Sequence, residues 1–137
     1  MDYFSVRLDE NEIKKISNLG LAHIGDGVFE LLVRTWLCVH GGVRADEMHR
    51  ATVARVSAPA QATAAERILP LLTERELAVF RRGRNTKVNS VPKRASHREY
   101  HEATALEALF GYLYLTGEHD RINELFARMM EETDHAS

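Results

Sequence analysis

LAHIGDGVFELLVR, residues Leu21 to Arg34, is a largely apolar run that sets a carboxylate, Asp26, between two glycines. Ile24, Val28, Leu31 and Thr35 recur at helical spacing, and Phe29, Leu32, Val33 and Trp36 form a second stripe beside them. That is more apolar circumference than a surface helix carries. Gly25 and Gly27 each cost roughly 1 kcal/mol relative to alanine inside a helix, and the expected compensation is close approach of another backbone. Asp26 then falls where two elements nearly touch. An ionised carboxylate in such a place needs a cation or dedicated donors to offset its lost hydration. The alternative is ordinary helix packing with Asp26 at a solvated edge.

Working outward, the pattern is helical nearly throughout, and the expected fold is all-α with about seven helices. A short helix is expected over about Glu10 to Ser17, then the organising helix from about Leu19 to Val39, stopped by Gly41-Gly42. A third spans about Ala45 to Val56, with Met48, Ala51, Val53 and Val56 inward and Arg44, His49, Arg50 and Arg55 largely outward. Ser57 caps a fourth that tolerates Pro59 in its first turn and ends at Pro70. Thr73-x-x-Glu76 and Ser96-x-x-Glu99 are capping boxes that open a fifth helix, running to Gly83, and a sixth, about His97 to Leu115. Between them Arg84 to Ala95 has no helical period and reads as the one long connection. A last helix runs from Asp120 to about Met130, leaving EETDHAS as a solvated tail.

A chain of 137 residues has room for one domain with a real core and no second folded unit, so residues 1–137 are expected to form a single domain with its core at about 19–130. Its 45% hydrophobic and 28% charged content excludes the disordered and fibrous classes. No run reaches the ~18 apolar residues of a membrane span, and MDYFSVRLDENEIKK lacks the order of a signal peptide, so a cytoplasmic protein is expected. The single cysteine, Cys38, reads as a small core residue without chemistry.

In the sixth helix, ALEALFGYLYL contains one residue charged at neutral pH, Glu107. It repeats the problem posed by Asp26. The small residues Ala103, Ala105, Ala108 and Gly111 match Gly25 and Gly27 across a tight helix crossing, so two acids in buried-looking positions are expected to face one another. Without a cation one of them must take up a proton. A divalent metal removes that cost, and hard oxygen ligands with no cysteine nearby favour magnesium over zinc.

GDGVFELLVR together with YHEATALEALFGYLYL resembles the ribonuclease III catalytic domain, and FRRGRN makes the match to its short branch, Mini-ribonuclease III. The resemblance covers about Leu19 to Met130 and includes no separate double-stranded-RNA-binding domain. It implies an all-α homodimer that cleaves double-stranded RNA with a divalent metal, magnesium or manganese in its place, leaving a 5′ phosphate and a 3′ hydroxyl. The branch further implies maturation of a large-subunit (23S-type) ribosomal RNA precursor, with a ribosomal protein as a candidate for presenting the substrate. By position, Asp26 and Glu107 match the acids of the two family signatures and are the expected catalytic residues and metal ligands. The longer enzymes carry further acids where this chain has Ala22 and Thr104. Thr104 is then expected to act through its hydroxyl on a water of the ion. Glu30, one turn after Asp26, is either an outer-shell group or the partner of Arg34 in an i,i+4 ion pair.

Between Arg81 and Arg98 lie seven Lys or Arg and no acid, so that segment is +7 and the remainder, with 18 − 7 = 11 basic and 20 acidic residues, is −9. Such a cluster is either a solvated face or the seat of a polyanion. Arg81, Arg82, Arg84, Lys87, Lys93, Arg94 and Arg98 are expected to grip duplex RNA through its phosphates. The aromatic stripe of Phe29 and Trp36 exceeds what one small core covers and argues for a dimer. The rival to the enzyme is a non-catalytic RNA-binding or ribosome-assembly protein with a decayed site, to which Ala22 and Thr104 lend weight.

Overall fold

Residues 1–86 and 96–135 are described by the structure, a computed structural model, with side chains through Met130. Among them are α1 (Glu10–Ile13), α2 (Asn18–His40), α3 (Met48–Val56), α4 (Ala58–Ile68), α5 (Glu74–Arg84), α6 (His97–Leu115) and α7 (His119–His135). The fold is all-α, as the periodicity implies. Helix boundaries follow local chemistry. Thr73 and Ser96 cap α5 and α6 with the reciprocal bonds of a capping box, Ser57 accepts from the Ala60 amide at the start of α4, and Gly41 and Gly117 take positive φ after α2 and α6.

The centre of the molecule is an antiparallel pair, α2 and α6, with α4 and α5 also packed on α6. Two glycines set that crossing. A Cβ on Gly25 would stand 1.6 Å from the Glu107 carbonyl oxygen, and one on Gly111 would stand 1.9 Å from the Leu21 carbonyl oxygen. Each helix thus seats the other's main chain one turn apart. Gly83 does the same for α5, where a Cβ would meet Ala108 Cβ at 2.8 Å. Around this frame Phe29 is wedged edge-on between Phe110 and Phe126, with Leu106, Leu109, Leu125 and Ile68 fully buried. Arg121 locks α7 to α5, its Nε and Nη2 each 2.9 Å from an oxygen of the buried Glu76 carboxylate. Burial alone would raise the Glu76 carboxyl, but this fork holds it below the usual value.

Several expectations are corrected. Gly27 points outward, with nothing within 4 Å of where its Cβ would be, so only Gly25 serves the close approach. Cys38 is exposed, because α2 has an outer face that the core does not reach. On the third helix Met48, Ala51 and Val56 pack against the core as expected, but Val53 is exposed and Thr52 buried, since Thr52, four residues from both Met48 and Val56, is the residue on their stripe. Arg55, expected largely outward, lies with its guanidinium 5.3 Å from the centroid of the Trp36 ring. The final helix continues through His135 instead of fraying after Met130, since nothing in EETDH stops a helix. Among the described residues no helix is long and apolar enough to cross a membrane.

Candidate active site

The crossing of α2 and α6 delivers two carboxyl groups to one place. Glu107 is brought there by the same peptide whose carbonyl packs on Gly25, and Asp26 follows Gly25 directly. The two acids share a hydrogen bond but not an environment. Asp26 is exposed, at the solvated edge rather than between the helices, because a turn of about 100° per residue separates it from Gly25. Glu107 is the more enclosed partner, half-buried. Burial, then the negative charge of Asp26 and the hydrogen bond between them, pushes its carboxyl up to about 8, while a donor from Gln61 acts in the opposite sense.

No sequence motif marks that donor. Gln61 sits on α4 with its Nε2 3.3 Å from Glu107 Oε2 and 2.8 Å from the Val56 carbonyl oxygen. The signal that could have found it is its phase: Gln61 shares the stripe of Ala64, Ala65 and Ile68, all buried, so an amide stands where an apolar side chain is due.

Thr104 is buried one turn before Glu107, and its hydroxyl donates to the Tyr100 carbonyl at 2.9 Å, which leaves it only acceptor capacity. Glu30 makes the i,i+4 pair with Arg34, at 3.1 Å, on a largely exposed face. Among the described residues no group of three or more His, Cys, Asp or Glu gathers as a metal cage. Two neighbouring carboxyl groups are nevertheless a donor set that magnesium accepts, since that ion commonly keeps several waters beside one or two carboxylates.

The basic segment is more compensated than its own residues suggest. Arg84 lies 3.8 Å from Glu102 and Arg98 3.3 Å from Glu66, acids supplied by α6 and α4. Arg81 and Arg82 are exposed on the last turn of α5. Lys87, Lys93 and Arg94 lie outside the described residues.

Residues 19–118, most of the chain and both acids included, match the Ribonuclease III domain. The chain belongs to the ribonuclease III family. Members of the family are endoribonucleases that act on double-stranded RNA and typically dimerise. This member is 45% identical over 107 residues to the Mini-ribonuclease 3 of Symbiobacterium thermophilum, covering 78% of this chain and 82% of that one. It is 41% identical over 128 residues to the Mini-ribonuclease 3 of a Thermoanaerobacter species, covering 91% and 90%. A crystal structure of a Fusobacterium nucleatum protein superposes with a TM-score of 0.80 at 29% identity, covering 89% of this chain and 98% of that one.

The displaced Glu107 value has a consequence for this ribonuclease III fold without metal. A carboxyl whose folded value is raised from 4.5 to about 8 stabilises the native state fully below about pH 4.5, and that stability is lost as pH rises toward 8. Calorimetry in chelator should therefore show the melting temperature falling between pH 5 and 8, with Glu107→Gln flattening the decline. A slope unchanged in Glu107→Gln would place its origin elsewhere.

Proposed function

We propose that this protein is a magnesium-dependent, homodimeric endoribonuclease that cleaves double-stranded RNA in the maturation of a large-subunit ribosomal RNA precursor in the cytoplasm. The observation that carries the reading is the Asp26–Glu107 pair, two carboxyls held together by a glycine-seated crossing at the edge of the molecule. Asp26 and Glu107 hold the ion directly; manganese substitutes for it. Once bound, the ion supplies an activated nucleophile and neutralises charge on the departing 3′ oxygen. Glu107 would hold the ion from the enclosed side of the site as an ionised carboxylate, and the exposed Asp26 from the open side. Glu30 and Thr104 are outer groups: Glu30 reaches the site by releasing Arg34, and Thr104 offers a lone pair. Single-strand cleavage per site, two sites per dimer, leaves a 5′ phosphate and a 3′ hydroxyl.

The outer face of α2 supports the dimer. Leu31 is 57% exposed, with Cys38 and the open Gly27 on the same side of the helix, an apolar strip that a second copy would cover. Sedimentation as a monomer at micromolar concentration would count against it.

Arg81, Arg82, Arg84 and Arg98, with Lys87, Lys93 and Arg94, supply phosphate contacts, and a ribosomal protein is a candidate for presenting the precursor. The test is cleavage of structured precursor RNA in magnesium, with binding measured in calcium across a salt series. Replacing Arg81, Arg82 and Arg84 by Gln should reduce the slope of log affinity against log salt by roughly 2 to 3, because each lost phosphate contact removes about one released counterion. An unchanged slope refutes the grip; absence of cleavage of any duplex in magnesium or manganese refutes the enzyme.

A further inference from the structure

Gln61 is 2% exposed, and both N–H groups of its amide are committed, one to the Val56 carbonyl oxygen at 2.8 Å and one to Glu107 Oε2 at 3.3 Å. The amide cannot be reversed, since a carbonyl oxygen can only accept, so Nε2 must face Val56 and Glu107. Its own Oε1 is buried without a hydrogen-bond partner among the described residues. A buried acceptor left unpaired is unfavourable, and the geometry that retains it does one thing for the site: it ties Glu107 Oε2 and leaves Oε1 as the oxygen free of Gln61.

We propose that Gln61 is a positioning residue that restricts Glu107 to one-oxygen coordination and so sets the site for magnesium over calcium. The inference rests on the reading of Asp26 and Glu107 as ligands. Magnesium demands near-octahedral geometry with single oxygens at short range, whereas calcium is larger, accepts irregular geometry and takes carboxylates through both oxygens. A Glu107 carboxylate freed from Gln61 can turn both oxygens toward an ion. Magnesium gains nothing from that rotation and loses a fixed ligand; calcium tolerates it. The competing explanation is that Gln61 only satisfies the last carbonyl of α3. That role predicts a loss of thermal stability on substitution with no change in the ranking of ions.

The experiment uses the full chain without RNA. Free Mn2+ is followed by its electron paramagnetic resonance signal, and magnesium and calcium are titrated against it in wild type, Asp26→Asn and Gln61→Met, which preserves length and burial while removing both donors. Gln61→Met should weaken magnesium about tenfold, the lower end of what outer-shell changes cost, and leave calcium within about threefold. In duplex cleavage it should lower kcat in magnesium with KM unchanged. Equal weakening of both ions, or no change in either, overturns the proposal. If Gln61→Met does not fold, Gln61→Leu takes its place, and failure of both to fold assigns Gln61 to structure alone and overturns it too. Wild type and Asp26→Asn binding Mn2+ equally would instead overturn the two-carboxylate site itself. Weakened Mn2+ binding in Asp26→Asn beside an unaffected Gln61→Met leaves that site standing and removes only the inference.

Discussion

Asp26→Asn should abolish cleavage, by at least about 10³-fold in kcat/KM, while leaving the fold intact or firmer. Loss of a single transition-state donor already costs ~10²–10³ in rate, and here the change removes the formal charge of one of the two proposed protein ligands. The second half of the expectation is what makes the first informative. Burial is the largest cause of the Glu107 displacement, but the charge of Asp26 and its hydrogen bond are the next two. An amide at position 26 removes the repulsion, so Glu107 ionises at lower pH and the native state no longer loses stability so steeply toward pH 8. Cleavage of duplex RNA and calorimetry in chelator, run on one preparation, check both. Retained cleavage would sink the assignment of Asp26. A variant with neither cleavage nor a melting transition would show only that the substitution unfolds the chain.

Gly25→Ala should be among the most damaging single substitutions in the protein, costing more than about 4 kcal/mol. The added Cβ would stand 1.6 Å from the Glu107 carbonyl oxygen, 2.5 Å from its carbon and 2.9 Å from its Cα. None of these is a side chain that could swing aside, so α2 and α6 must separate and take the core with them. The roughly 1 kcal/mol gained from alanine's helix propensity does not approach that cost. Gly27→Ala is the control two residues away. With nothing within 4 Å it should collect the propensity gain and raise the melting temperature by a few degrees. Thermal unfolding of the pair decides: similar melting temperatures would mean that the crossing is looser than the structure shows.

The contrast between those glycines also marks where sequence reading stops. Both flank Asp26, and both carry the same propensity penalty. What distinguishes them is a rotation of about 200° around the helix, and α2 is apolar around so much of its circumference that its phase could not be read from hydrophobicity. The same ambiguity makes Cys38 read as a core residue and leaves Asp26 open between the helix crossing and a solvated edge. Where the signal is local chemistry, sequence and structure agree: the Thr73 and Ser96 capping boxes open α5 and α6, and α6 runs over His97–Leu115. The family signatures brought Asp26 and Glu107 forward, and the crossing does join them. Gln61 lies in no signature and 46 residues from Glu107, so its part becomes visible only when α4 is laid on α6. The compensation of Arg84 by Glu102 and of Arg98 by Glu66 is tertiary in the same way.

Gly25 on the carbonyl of Glu107 and Gly111 on the carbonyl of Leu21 form a two-point mechanical stop, built from peptide units and not from side chains. Side-chain packing elsewhere can swell, shrink or repack, and the stop still sets how far one helix slides or rolls on the other. The distance between the two acids is therefore inherited from the main chain. A chain of this size can then drift widely in its core residues, gaining or losing stability, without the spacing of the main chain beneath Asp26 and Glu107 ever being exposed to that drift.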